Sequence, residues 1–336
     1  MSATIRDVAN RANVSIKTVS RVLNNEPFVK NTTRERVLAA IDELGYVAIL
    51  SAKRLASGQS YTIGLIFHNA SWHYTQDVLK GVIETARKSG YSTLLHPCDV
   101  CSDIDTKEVL NLVHQRVVDG LIFTPPADNA REVIRELQQL EVPFVRLTPQ
   151  DRTSPLPYVT ATDMQGAFDM TNYLISLGHR RIGFIHGPED QRAGHERFAG
   201  YKKAINEAGI ELDSGIITEG DDYFESGFLA TLYLLKLETV PSAIFCNNDE
   251  MAAGSISAVF EAGLKVPNNI SVVGFDDIPL ASQVWPPLTT VQQPIYKIAE
   301  IATNMLIGLL KGETIIDLKQ EVETALVIRK STAAIA

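Results

Sequence analysis

Along residues 4–24, Ile5, Val8, Ala9 and Ala12 recur at the spacing of one helical face. Thr4 with Asp7 three residues on has the form of a capping-box start, in which hydroxyl and carboxylate satisfy free N–H groups. Asn13-Val14 interrupts the period, and Ser15 is a good N-cap for a second short helix. On that helix Val19, Val22 and Leu23 share one face, while Lys17, Arg21 and Asn24 share the other. Thr32-Thr33-Arg34-Glu35 predicts another capping-box start, followed by Val37, Leu38, Ile41 and Leu44 and closed by Gly45. Two short helices joined by a tight turn form the helix-turn-helix arrangement, whose second helix enters the major groove of DNA. Periodicity alone leaves that reading open against an ordinary helical pair in a small core.

From Tyr61 the pattern changes. Short apolar runs at 62–67, 92–96, 120–124, 143–147, 181–186, 242–246 and 271–275 alternate with helical periodicity near 76–89, 104–117, 130–140, 164–177, 196–208, 225–237, 249–262 and 295–311. Continuous apolar strands predict parallel sheets covered by helices on both faces. The fold expected is a small all-α head followed by α/β, with two doubly wound parallel-sheet subdomains. Residues 157–162, 288–295 and 318–323 are the expected crossovers. The subdomains are then about 61–161 plus 292–320 and about 163–290 plus 322–336.

Charge sharpens this division. Of 336 residues, the first 60 hold nine Lys and Arg against five Asp and Glu, leaving 22 against 35 in the remainder. The head is therefore suited to phosphate contact, and the acidic body is not. No signal stretch opens the chain and no apolar run is long enough to span a bilayer, so a soluble cytoplasmic protein is expected. Three cysteines make no disulfide framework. Cys98 and Cys101 form a lone CxxC with His96 nearby, short of a zinc or redox motif, so no cofactor or metal is expected. HExxH, GxSxG, Walker and GxGxxG patterns are absent, and nothing pairs a nucleophile with a base.

The run TIRDVANRANVSIKTVSRVLN resembles the N-terminus of the LacI/GalR family of bacterial transcriptional regulators. Thr4, Ile5, Asp7, Val8, Ala9, Ala12, Val14, Ser15, Thr18, Val19, Ser20, Arg21, Val22, Leu23 and Asn24 all fit that family's pattern in one ungapped stretch. The resemblance implies a DNA-binding head over 1–47, a hinge segment over 48–60 and an effector-binding and dimerisation domain over 61–336 with a periplasmic-binding-protein-like clamshell. The implied DNA contacts are Thr4, Ser15, Ile16, Lys17, Thr18, Ser20, Arg21 and Asn24. Lys17 and Arg21 can bond guanine acceptors, and Ile16 can meet a thymine methyl. Thr18, Ser20 and Asn24 read as phosphate contacts that set register. In the hinge, Leu55 flanked by Lys53 and Arg54 matches the family's minor-groove wedge, although Ala48-Ile49 stands where the family usually has Pro-Asn.

The same resemblance runs on into the body. Residues 177–201 look like the family's ligand-clamping segment and imply Arg197 as the clamp. Residues 245–254 imply Asn248 at the pocket, with Asp249 capping the next helix, and residues 272–281 imply Asp276 as the pocket acid. Further candidates are Asn69, Trp72, Tyr74, Arg146 and Phe224, each equally readable as structural. The expectation is a homodimeric repressor on palindromic operator DNA, controlled by a small sugar-type effector and lacking the family's tetramerising tail. A nucleobase-type corepressor, a sugar-binding protein without a DNA role and a sugar-modifying enzyme are the rivals. The last is poorly served, because Asp276 and Asp277 are adjacent.

Overall fold

The computed structural model describes residues 3–23, 27–46, 58–67, 72–98, 103–125, 127, 130–189 and 191–335. The chain forms two compact units, residues 1–60 and residues 61–336.

In the first unit, α1 (Ile5–Arg11), α2 (Ile16–Leu23) and α3 (Asn31–Leu44) close on Val8, Ala9, Ala12, Val19, Val22, Val37 and Ala40. The capping box forms: the Thr4 hydroxyl accepts from the Asp7 N–H, and the Asp7 carboxylate accepts the Thr4 N–H at 2.8 Å. Asn13 takes the left-handed conformation (φ 51) in the turn, and Gly45 does the same beyond α3 (φ 57). Three expectations are corrected. The third helix starts at Asn31, with Lys30 at its N-cap and no side-chain cap bond, because the chain turns one position before the Thr-Thr pair. Leu38 is 50% exposed and Leu23 37% exposed: so small a core covers one face of each helix, and these two lie beyond its edge. An Arg11–Glu43 ion pair at 2.7 Å ties α1 to α3.

The second unit holds two parallel sheets. The first contains β1 (Thr62–Phe67), β2 (Ser92–Pro97), β3 (Gly120–Phe123), β4 (Phe144–Leu147) and β5 (Tyr158–Ala161), with β11 (Lys319–Val322) on its edge beside β5. Helices α4 (Trp72–Lys88), α5 (Asp103–His114) and α6 (Arg131–Gln139) connect its strands. The second sheet contains β6 (Ile182–Ile185), β7 (Ile217–Thr218), β8 (Ala243–Cys246) and β9 (Ser271–Val273) in the order β7-β6-β8-β9. Its helices are α7 (Asp163–Ser176), α8 (Arg192–Glu207), α9 (Phe224–Leu234), α10 (Asp249–Glu261) and the short α11 (Pro279–Gln283). β10 (Thr290–Gln292) and β12 (Ala325–Val327) pair antiparallel beside them. β7 and β12 are two and three residues long, too short to have shown as separate runs.

The chain passes between the lobes three times. β5 of the first sheet leads into α7, which packs on α8 of the second lobe. After β10, α12 (Ile295–Leu310) returns to the first core through Ile295, Ile298, Ala299, Ala302 and Leu306. β11 joins the first sheet, and β12 then pairs back on β10. Strands β1, β3, β4, β5, β6, β8 and β9 are buried on both faces, as parallel strands under helices must be, while the edge strands β2, β7 and β11 are partly exposed.

The α7–α8 contact depends on a missing side chain. A Cβ on Gly200 would lie 2.1 Å from the Met164 carbonyl and 2.8 Å from the Phe168 nitrogen, both backbone atoms. Replacing Gly200 with Ala is expected to cost about 1–3 kcal/mol by overpacking. Thermal melts of the two proteins check this; an unchanged Tm contradicts it.

Candidate functional site

In the head, α2 turns Val19 and Val22 inward and leaves Lys17 and Arg21 exposed on its outer face, with Ile16 43% exposed at its start. Ser15 is committed to the helix start. Its Oγ accepts the Thr18 N–H at 3.1 Å and shares a 2.9 Å bond with the Thr18 hydroxyl. Thr4 is likewise held by its capping box, and Ser20 is half-buried. Four to five polar groups around an exposed isoleucine on one short helix suit a groove lined by phosphates and base edges. Asn24, Lys53, Arg54 and Leu55 lie outside the described residues.

In the body, the strand ends of the second sheet and the first crossover bring polar groups together around Arg197. This residue projects from the second turn of α8 and is 4% exposed. Its Nε donates to Asp163 Oδ1 at 3.1 Å, its Nη1 to the Asn247 carbonyl at 2.5 Å and its Nη2 to Asp276 Oδ1 at 3.1 Å. The Phe275 ring lies 4.0 Å beneath the guanidinium carbon. Gln293, at the second crossover, donates to Asp276 at 2.9 Å. Asn247 donates its side-chain amide to Asp222 at 2.8 Å. Asp222 (φ 69) and Asp276 (φ 112) both hold left-handed backbone, a strain that clusters where function needs a fixed geometry.

Burial dominates the electrostatics. It pushes the Asp276 carboxyl up to about 7 against the opposing pull of Arg197, and raises Asp163 and Asp222 in the same direction. Burial also disfavours the Arg197 charge, yet Asp276, Asp163 and Asp222 outweigh it, and the guanidinium is held charged more firmly than usual.

The other expected site residues are placed as follows. Asn248, expected at the pocket, is the N-cap of α10: its Oδ1 accepts the Met251 N–H at 2.9 Å and its Nδ2 donates to the Asp222 carbonyl at 2.8 Å. Asp249, expected as the cap, is fully buried one residue later, taking the Ile278 N–H at 2.9 Å and the Thr290 hydroxyl at 2.5 Å. Arg146 is buried in the first lobe and donates to the Asp151 carbonyl at 3.1 Å and the Leu156 carbonyl at 3.4 Å, so it braces the β4–β5 loop. Tyr74 packs against the first core. Phe224 opens α9 at 43% exposure, two residues from Asp222. Asn69 and the Trp72 side chain lie outside the described residues. Burial pushes the Cys246 thiol up to about 12. Among the described residues no cluster of His, Cys, Asp or Glu is placed to hold a metal, and no helix is long and apolar enough to cross a membrane.

Asp163, Asp222, Asn247 and Gln293 join the Arg197 cluster although pattern reading did not single them out. A second set ties the lobes beside them. Arg152, in the β4–β5 loop of the first lobe, pairs with Glu196 on α8 of the second at 2.9 Å, and Arg192 on α8 donates to the Gln150 carbonyl at 3.0 Å and to Glu196 at 2.8 Å.

Comparison with known proteins bears on both sites. Residues 4–48 match the family described as bacterial regulatory proteins, lacI family, and residues 171–332 match a periplasmic binding protein-like domain. The catabolite control protein A of Priestia megaterium is 37% identical over 94% of this chain and 95% of its own length. The lac repressor dimer bound to operator and the anti-inducer ONPF superposes with a TM-score of 0.82 at 33% identity, covering 99% of this chain and 100% of that one. A complex of the transcriptional regulator CelR with cellobiose gives a TM-score of 0.75 at 30% identity, over 98% of this chain and 99% of that one.

The raised carboxyls make stability depend on pH. A carboxyl whose folded pKa lies near 7, above its unfolded value of about 3.9, favours folding at low pH, and that contribution is lost as pH rises through about 7. Asp276→Asn is therefore expected to flatten the fall in Tm between about pH 5 and pH 8 relative to the parent protein. Parallel slopes in the two melting series would contradict the burial of an uncompensated carboxyl.

Proposed function

Because this chain belongs to the LacI family of bacterial transcriptional regulators, we propose that it is a homodimeric repressor of palindromic operator DNA whose affinity is set by a small sugar-type effector. The observation that carries the effector reading is the Arg197 cluster. A guanidinium has five donors, and three are spent on Asp163, Asn247 and Asp276. The two that remain suit the oxygens of a polyhydroxylated ligand, while Asp222, Asp276 and Asn247 can accept from its hydroxyls. The likeness to a regulator solved with cellobiose supports the same class.

On the DNA side, one head reads one half-site, so two are needed for a palindrome. Lys17 and Arg21 reach guanine acceptors, Ile16 meets a thymine methyl, and Thr18 and Ser20 fix register on phosphates. Thr4 and Ser15 preset the two helix starts. Asn24 and the segment with Lys53, Arg54 and Leu55 complete the contact. Such a regulator works in the cytosol, where the DNA is.

Ligand seated at Arg197 changes the distance between the lobes and loads the Arg152–Glu196 and Arg192–Gln150 ties that bridge them. Only the difference in its affinity for the two lobe arrangements can shift operator binding. A coupling of about 1.4 kcal/mol weakens the operator complex roughly tenfold. Fluorescence anisotropy on an operator from upstream of its own gene, with a panel of mono- and disaccharides, is expected to show one sugar that does this. Tightening by a purine would replace the inducer reading with the corepressor one.

The head makes a separate prediction. Lys17→Ala is expected to weaken operator binding by about 1–3 kcal/mol and relax base preference at one position of each half-site. Its Tm should match the parent, since the side chain is exposed. Unchanged operator affinity would remove Lys17 from the interface.

A further inference from the structure

The charge of the effector follows from the cleft, given that the Arg197 cluster is where it binds. Three carboxylates, Asp163, Asp222 and Asp276, face one guanidinium. Among the described residues, their neighbours do not restore the balance. Asp163 feels Glu196 and Arg152, which pair with each other at 2.9 Å. Asp222 lies in the field of Asp221 and Glu250. Asp249 adds a fourth buried carboxyl that acts on Asp276 from behind, while Asp277 is tied to Arg329 at 2.6 Å. When all are ionised, Asp163, Asp222 and Asp276 outnumber Arg197 by two charges, and Asp249 adds a third.

Hydrogen bonding points the same way. Asp163 Oδ2 and Asn247 Oδ1 are buried and meet no donor among the described residues, in side chains that are 0% and 2% exposed. Buried acceptors left open cost about 1–3 kcal/mol each, so a partner that brings donors is favoured. Next to Asn247 lies a cavity of about 420 Å³, whose wall includes Gly187 and Gly194. A Cβ on Gly194 would stand 3.4 Å from Asn247 Oδ1, and one on Gly187 would collide with the Asn247 amide. Glu189 and Glu219 line the same cavity together with His186 and His195, and burial lowers the pKa of His186, which favours its neutral form. A phosphorylated or carboxylated ligand would enter a field of its own sign and meet acceptors that offer it nothing.

We propose that the effector is an amino-substituted sugar, its protonated nitrogen set against Asp222 and Asp276 and its hydroxyls on the remaining donors of Arg197. The cation draws both carboxyls into the ionised form. Since burial pushes Asp276 up to about 7, binding of the cation expels protons, and affinity rises between about pH 6 and pH 7.5.

Isothermal titration of the full-length protein tests this with glucose, galactose and mannose, each as the neutral sugar, the 2-amino-2-deoxy sugar and the 6-phosphate. In a series that binds, the amino form is expected to bind at least about tenfold tighter than the neutral form, a gap of about 1.4 kcal/mol. The phosphate should give no heat, and lowering the pH to about 6 should weaken the amino sugar. A neutral or phosphorylated form that equals the amino form overturns the proposal. If no sugar binds, the sugar reading itself fails, and the charge claim is decided by Asp222→Asn. Asn tolerates the left-handed backbone at this position and keeps an acceptor for the Asn247 amide. That variant is expected to melt above the parent at about pH 8, with the gain shrinking toward pH 5.5 as carboxyls protonate. An equal or lower Tm at pH 8 shows that no charge surplus exists and overturns the proposal.

Discussion

A buried guanidinium must be compensated, and the second lobe is arranged around that requirement. Removing Arg197 from water costs several kcal/mol, and the cost is offset only if carboxylates and carbonyls meet it at bonding distance. Five separate stretches of chain supply them. Asp163 opens α7 at the first crossover, Asn247 follows β8, and Asp276 follows β9. Gln293 fixes Asp276 from the second crossover, and Asp222 is held in place through Asn247 and Asn248. Moving any of these elements breaks a bond to a buried charge or to its partner, so the cluster fixes how the strand ends of the second lobe meet the two crossovers. The compensation is uneven. It leaves carboxyls raised above their ordinary range and acceptors open, which is the condition of a site that a ligand completes.

The ties beside the cluster have a different character. Arg152–Glu196 and Arg192–Gln150 join the β4–β5 loop to α8 across the lobes, with side chains 9% to 35% exposed. Partly solvated pairs of this kind contribute little to stability. They can exchange between two lobe arrangements at small cost, and so suit a joint that must move. The deep cores on either side, Ile63 and Leu65 in one lobe and Ile244 and Val272 in the other, have no such freedom. In the proposed regulator, rigid lobes, a movable seam and a charged cluster at its edge together convert ligand contact into relative displacement.

The head and the two-sheet body were legible because their signals are local. Thr4 and Asp7 are three residues apart and form the capping box expected of them, and the buried strands β1, β3, β4, β6, β8 and β9 each read as an apolar run. The cleft was only half legible. Arg197 and Asp276 stand in stretches with a recognisable pattern and do meet. Asp163, Asp222 and Gln293 reach the site through crossovers and loops, and a charged residue in a loop reads as solvated until the fold encloses it. Asn247 and Asn248 show how fine the distinction is. Two adjacent asparagines divide the work of site and helix cap, and only the backbone direction at the end of β8 decides which does which. Leu38 failed in the opposite sense, since helical spacing marks a stripe wider than three short helices can cover.

The central claim is that the Arg197 cluster receives the effector and reports it to the head. Arg197→Lys tests this most directly, because it keeps a positive charge but loses the planar fork that bonds Asp163, Asn247 and Asp276 together. Operator affinity of this variant, measured with and without the effector sugar, is expected to stay near the parent value without sugar and to lose its response to sugar. A variant that folds, binds operator and still releases it at the parent's sugar concentration would place the effector somewhere else.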